Sequence, residues 1–144
     1  MVKIYTDASV AKGNAVSTCF VLTDTNFLGY NTFSYEGVET SVEGELLGVL
    51  NAAKYYQSLN VADTDVIIFC DSINAINLIS NLEAGETTKQ TWRYKSLLES
   101  IVEFKQAIGF NLQLIEGHQM SHNPNKIVDL FSNSMLRIKN EKEL

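Results

Sequence analysis

The stretch "DVIIFC", residues 65–70, decides the fold class of this 144-residue chain. An uninterrupted apolar run of this length is typical of a strand that is covered on both faces, as the strands of a parallel sheet are. Three earlier stretches are rich in β-branched and aromatic residues, and they favour an antiparallel meander. These stretches are residues 2–6, 15–23 and 27–35, with a turn at "DTN" between the last two.

Apolar residues at helical spacing predict helices between and after these strands. The predicted helices cover residues 42–56, 73–80, 91–108 and 123–138. Ser72 is the expected N-cap of the second helix, and Gly109 is the expected stop of the third. Asn123 and Pro124 form a good start for the fourth.

The order of these elements predicts an α/β fold. Residues 110–116 alternate between apolar and polar side chains, which predicts a half-exposed strand. Strands mixed with helices in this order imply a mixed sheet with helices packed on its faces. In such sheets, ligands bind beyond the carboxyl ends of the parallel strands. Asp7 and Asp71 stand directly after two of the predicted strands, where a site is expected.

Length and composition are those of an ordinary globular protein. Since 45% of the 144 residues are hydrophobic, we expect one domain over residues 1–140, followed by a frayed tail at 141–144. No apolar run approaches the roughly 20 residues of a membrane span. Separately, we expect an intracellular (cytoplasmic) monomer. Cys19 and Cys70 lie in apolar runs, so we expect both to be reduced and buried.

The net charge of -6 argues against broad electrostatic attraction to nucleic acid. It does not exclude a nucleic-acid substrate, because clustered acids that bind divalent cations reverse the local field. Any nucleic-acid contact is therefore expected to be local and metal-dependent.

Glu45 lies on the inward stripe of the first predicted helix. It comes three residues after Val42 and four before Val49, which both mark that stripe. An ionised carboxylate that faces the core costs several kcal/mol unless it is paired or bound to a metal. The alternative is an edge position with the carboxylate in water. Glu43 points away from the stripe and is expected to be an ordinary solvated acid.

The other acids have simpler interpretations when each is taken alone. "TDAS" at Asp7 and "CDSIN" at Asp71 are good turn or N-cap sequences, and Asp129 fits a solvated helical acid. If these acids and Glu45 come together, cations must offset their repulsion. Oxygen ligands select hard ions such as Mg²⁺ or Mn²⁺. Two such ions about 4 Å apart would clamp the attacking and leaving oxygens of a phosphodiester.

Four motifs, in order along almost the whole chain, resemble those of the ribonuclease H family. They are "IYTDAS", "GELLGVLNAA", "FCDSINAIN" and "EGHQMSHNPNKIVDLFSN". Each motif is weak alone, whereas the ordered set is specific. The resemblance implies a mixed five-stranded sheet, three antiparallel strands plus two parallel ones, with helices on both faces. It also implies a metal-dependent endoribonuclease that hydrolyses the RNA strand of RNA–DNA hybrids and leaves a 5′-phosphate and a 3′-hydroxyl.

The resemblance also assigns roles to particular residues. Four acids become catalytic residues and the ligands of two Mg²⁺ ions, with Mn²⁺ as a possible substitute: Asp7, Glu45, Asp71 and Asp129. His118 takes the place of the family's catalytic loop histidine. His122 is assigned only to support or capping.

The chain departs from the family pattern in the segments that bind the substrate in other members. "ETSVEGE" lacks the asparagine pair that often precedes the glutamate and reads the 2′-hydroxyls, which distinguish RNA from DNA. The nearest polar candidates for substrate binding are Asn14, Ser41, Ser72 and Asn74. The long basic, tryptophan-rich protrusion of many members is also missing, and we expect Trp92 in the core. The expected consequence is weak affinity for the hybrid. Alternatively, a partner or an additional domain supplies the affinity.

Two alternatives keep the same fold. One is a nuclease that acts on another nucleic acid, such as branched DNA, and the missing asparagine pair motivates it. The other is a non-catalytic ribonuclease H-like binding module, which would have no chemical need for an acid on the inward face of a helix.

Overall fold

A five-stranded mixed sheet forms the centre of the molecule. The computed structural model describes residues 1–62 and 65–115. The strand order is β3-β2-β1-β4-β5; β1, β2 and β3 are antiparallel, whereas β4 is parallel to β1 and to β5. The predicted fold class is therefore confirmed. The strands are β1 (Val2–Ala11), β2 (Asn14–Thr23), β3 (Phe27–Glu36), β4 (Val66–Cys70) and β5 (Asn111–Leu114).

Four helices lie within the described residues. They are α1 (Ser41–Ser58), α2 (Ile73–Glu83), α3 (Lys89–Arg93) and α4 (Lys95–Ile108). Gly109 ends α4 in the left-handed conformation, with φ 82°, as predicted. The helix expected over residues 123–138 lies outside the described residues.

The single helix predicted over residues 91–108 is wrong, because two helices occupy this region. Thr88 and Thr91 form a reciprocal capping box that starts α3 early, at Lys89. Tyr94 then leaves helical geometry, with φ -106° and ψ 21°, and α4 begins at the next residue. This break changes which side chains face inward. Tyr94 is buried and Trp92 is 70% exposed, so the expectation that Trp92 lies in the core is also wrong.

The first strand is longer than predicted. It continues past residue 6 because its antiparallel ladder with β2 runs as far as the pair Ala11 and Asn14. Lys12 and Gly13 close this hairpin with positive φ values of 54° and 75°, as a two-residue turn of type I′ requires. Asp7 therefore lies inside β1 and not directly after it, which corrects the sequence-based placement.

Helix α1 packs across β1 and β2 and buries its apolar side chains in the main core. Gly44 and Gly48 permit this close approach. A Cβ on Gly44 would overlap with Cγ2 of Val10, and one on Gly48 would lie 3.1 Å from Oγ1 of Thr6. Helix α4 packs beside α1, and an ion pair of 2.8 Å between Lys105 and Glu83 joins it to α2. The helix with Glu45 is thus held tightly against the sheet.

Among the residues that the structure describes, no helix combines the length and the apolar character needed to cross a membrane.

Candidate metal centre

The carboxyl end of β4 places two chemically active side chains next to each other. Cys70 is the last residue of the strand, and Asp71 follows it directly. The chain turns here because the Ser72 hydroxyl accepts a hydrogen bond from the backbone N–H of Ala75 and caps α2. As a result, Asp71 is exposed at the carboxyl end of β4, whereas Cys70 is fully buried. The predicted position of Asp71 at the end of a parallel strand is confirmed.

Glu45 reaches the same place from α1. Glu45 is only 8% exposed. The inward position predicted from the helical stripe is therefore confirmed, and the alternative with the carboxylate in water is excluded. Oε2 of Glu45 accepts a hydrogen bond from the thiol of Cys70, at an oxygen-to-sulfur distance of 3.9 Å. One ligand atom each of Glu45, Cys70 and Asp71 lies within 4.8 Å of the other two. Two carboxylates and a thiol therefore converge at the carboxyl end of β4.

Asp7 belongs to the same region of the sheet. The parallel pairing of β1 with β4 ends at Tyr5 and Phe69, so Asp7 lies just beyond it, opposite Thr18 of β2. The residue is 2% exposed. Burial of a carboxylate is costly unless other groups or a cation stabilise it.

The pKa of the Cys70 thiol is affected by all three acids. Burial raises the pKa of this thiol most strongly, and the negative charges of Glu45, Asp71 and Asp7 raise it further. The backbone N–H of Ser72, which donates a hydrogen bond of 3.5 Å to the sulfur, opposes the rise. A thiolate is disfavoured because the sulfur is buried and because the neighbouring acids already concentrate negative charge there.

This donor set fits a hard divalent cation. Carboxylate oxygens are the ligands that Mg²⁺ and Mn²⁺ prefer, and a cation would offset the repulsion between acids at this distance. Glu45, Asp71 and Asp7 are the described residues that would hold it. The predicted fourth acid, Asp129, and both histidines, His118 and His122, lie outside the described residues.

The four polar candidates for substrate binding occupy different environments. Asn14 is buried at the start of β2, Ser41 is exposed as the first residue of α1, and Ser72 is the half-buried cap of α2. Asn74 is exposed and lines an open groove of about 340 Å³ between α2 and α3, together with Lys89. Asn74 therefore lines a groove, and it follows Asp71 by three residues along the chain.

Cys19 and Cys70 are both free and buried, as predicted, but the sequence did not identify Cys70 as part of the site. A signal was available. Side chains of Val66, Ile68 and Cys70 alternate onto the buried side of β4. Glu45 was predicted to face the core as well, so a contact between it and one of these buried side chains could be expected.

The sequence and the fold were compared with known proteins. Residues 1–137 match the family model for RNase H. No curated protein sequence matches the chain.

Among solved structures, the N-terminal RNase H domain of Rv2228c from Mycobacterium tuberculosis is similar, with a TM-score of 0.79 and 16% identity over 99% of this chain and 98% of that one. RNase H1 from Halobacterium salinarum gives a TM-score of 0.70 and 12% identity, over 94% and 97% of the two chains. LC11-RNase H1 gives 0.70 and 16%, over 93% and 95%. At these identities the structural likeness shows the fold, and the match of the family model over nearly the whole chain shows the family. The chain belongs to the RNase H family.

Proposed function

We propose that this protein is a metal-dependent endoribonuclease that hydrolyses the RNA strand of RNA–DNA hybrids. One observation carries the proposal. Glu45 and Asp71 come from distant parts of the sequence, yet their carboxylates converge within 4.8 Å at the carboxyl end of β4. The burial of Glu45 supports a chemical role, because a binding module would gain nothing from an acid at the edge of its core.

The acids have two tasks in this proposal. Asp7, Glu45, Asp71 and Asp129 would hold two Mg²⁺ ions, or Mn²⁺ in their place, which supply charge for activating water and for stabilising the leaving oxygen. Water attacks the phosphorus atom, and the bond from phosphorus to the 3′-oxygen breaks. The products are a 5′-phosphate and a 3′-hydroxyl. His118 would transfer a proton during this step or during product release.

The substrate class is supported by the family and by one similar structure, since LC11-RNase H1 was solved in complex with an RNA/DNA hybrid. The surface near α3 has few basic side chains that could bind the phosphates of the hybrid. Lys95 lies over the ring of Trp92, 4.9 Å from its centroid, and Lys89 and Arg93 are nearby. Because the net charge is -6, we expect weak intrinsic affinity for the hybrid that falls with salt. The alternative is that a partner or an additional domain supplies the affinity.

A panel of labelled substrates tests the proposal. RNA–DNA hybrid, RNA duplex, single-stranded RNA and branched DNA are each incubated with the protein in Mg²⁺ or Mn²⁺. We expect cleavage of the RNA strand of the hybrid and its loss in Asp71→Asn. Preferential cleavage of branched DNA would replace the hybrid with another substrate. A folded sample that cuts nothing, with either ion, would refute an enzymatic role.

A further inference from the structure

We infer that this acid cluster is also an inhibitory site for thiophilic divalent cations, such as Zn²⁺ or Cd²⁺, with the sulfur of Cys70 as a ligand beside Glu45 and Asp71. The inhibitory part rests on the proposed function. The binding part rests on the side chains alone.

The distances suit such an ion. A tetrahedral zinc ion has sulfur ligands at about 2.3 Å and carboxylate oxygens at about 2.1 Å, so a sulfur and an oxygen on the same ion are about 3.6 Å apart. Sγ of Cys70 and Oε2 of Glu45 are 3.9 Å apart. Closing this gap requires a movement of a few tenths of an ångström. An oxygen of Asp71, within 4.8 Å of the Cys70 sulfur and of a carboxylate oxygen of Glu45, would complete three ligands on one side of the ion.

The chemistry of the ligands separates the two classes of cation. Mg²⁺ takes oxygen ligands and gains nothing from a thiol, whereas Zn²⁺ and Cd²⁺ bind thiolate strongly. When such an ion binds, the metal–sulfur bond replaces the S–H bond and the proton passes to the solvent. Cys70 therefore favours thiophilic ions at carboxylates that Mg²⁺ would otherwise occupy.

The position of the cluster allows an ion to enter. Cys70 and Glu45 are buried, whereas Asp71 is exposed at the carboxyl end of β4. An ion can therefore reach the thiol from the side of Asp71. Occupying Glu45 and Asp71 in this way removes two of the oxygen donors that the proposed reaction needs.

Cys19 provides a matched control. It is also a free and fully buried cysteine, but it lies on β2, and among the described residues it belongs to no group of metal-ligating side chains. Any effect of replacing a buried thiol in general appears at both cysteines. An effect of the metal site appears at Cys70 alone.

Titration with Cd²⁺ tests the inference, read as the ultraviolet charge-transfer absorption of a cadmium–thiolate bond. We expect the absorption in the unmodified protein and in Cys19→Ser, and its loss in Cys70→Ser and Cys70→Ala. Circular dichroism checks that each variant is folded. Excess Mg²⁺ should shift the titration of the unmodified protein to higher Cd²⁺, which needs no variant. Equal absorption without Cys70, or a titration that Mg²⁺ does not move, would overturn the site.

The hybrid cleavage assay then separates this inference from the proposed function. With Mg²⁺ present, added Cd²⁺ should inhibit the unmodified protein and Cys19→Ser to the same extent. A protein that shows the absorption but never cuts a hybrid would lack the proposed activity and still hold the site. Cleavage that is insensitive to Cd²⁺, in a protein that shows the absorption, would overturn the inhibitory role.

Discussion

The Thr40 hydroxyl lies 2.8 Å from the Tyr94 hydroxyl and also accepts a hydrogen bond from the backbone N–H of Glu43. Thr40 is the N-cap of α1, and Tyr94 occupies the break between α3 and α4. Thr40 therefore caps the helix that carries Glu45 and also hydrogen-bonds to the break between α3 and α4. We call these two contacts of Thr40 the α1 anchor, because they lie at the start of the helix that carries Glu45.

Substitutions at this anchor should lower the free energy of unfolding by different amounts. Thr40→Val removes both hydrogen bonds and should cost about 1–2 kcal/mol, whereas Tyr94→Phe removes only one and should cost about 1 kcal/mol. Urea unfolding measures both values. Thr40→Ser keeps the cap and is the control. If Tyr94→Phe leaves the free energy of unfolding unchanged, the anchor contributes nothing.

Gly44→Ala should destabilise the protein although alanine is the better helix former. The gain in helix propensity is roughly 0.5–1 kcal/mol, but the new Cβ would overlap with Cγ2 of Val10. Overpacking of this kind costs about 1–3 kcal/mol, so we expect a net loss of about 1 kcal/mol in urea unfolding. The double variant with Val10→Ala tests the cause, because removing the overlap should make Gly44→Ala less costly in that background. An equal cost in both backgrounds would contradict the packing explanation.

The sheet and the positions of Glu45 and Asp71 could be predicted from local patterns. The run at residues 65–70 predicted a buried parallel strand, and Glu45 stood out because its stripe is otherwise apolar. Asp7 was misplaced because polar residues interrupt the apolar pattern of β1, while its ladder with β2 continues through them. Pairing partners, which decide where a strand ends, are not visible in one strand's own sequence.

The error at Trp92 and the unforeseen contact of Cys70 with Glu45 have a similar origin. The capping box of Thr88 and Thr91 fixes the start of α3, and the break at Tyr94 then resets the helical register, so periodicity counted across the break points Trp92 inward. Cys70 is free and buried as predicted, but its approach to Glu45 could not be foreseen because it depends on how α1 crosses the sheet.

The single tryptophan of the chain reports its own exposure. Because Trp92 is 70% exposed, its fluorescence should be quenched readily by acrylamide in the folded protein, and only slightly more after unfolding. Trp92→Ala should change the free energy of unfolding by less than about 0.5 kcal/mol. Strong protection from the quencher, or a large loss of stability, would return Trp92 to the core.

Stability should fall at alkaline pH partly through Cys19. Burial raises the pKa of this thiol from 9.0 to about 12, and a hydrogen bond with the backbone of Asn31 opposes the rise. The folded state therefore holds the proton more tightly than the unfolded state does, and the resulting stability is complete below pH 9 and lost as the pH rises towards 12. Cys19→Ala should show a shallower decline in the free energy of unfolding between pH 9 and pH 12. An unchanged slope would contradict the shift.

The most direct test of the central claim compares two acids of the same helix. Glu45 is buried at the cluster, whereas Glu43, two residues earlier, is only partly buried and outside it. Rates of hybrid cleavage in Mg²⁺ are measured for the unmodified protein, Glu45→Gln and Glu43→Gln. We expect Glu45→Gln to lose at least about 100-fold, the scale on which removing one electrostatic group acts in enzymes, and Glu43→Gln to stay within a few-fold of the unmodified rate. Equal rates for the two variants, or full activity in a folded Glu45→Gln, would contradict the assignment of the metal centre.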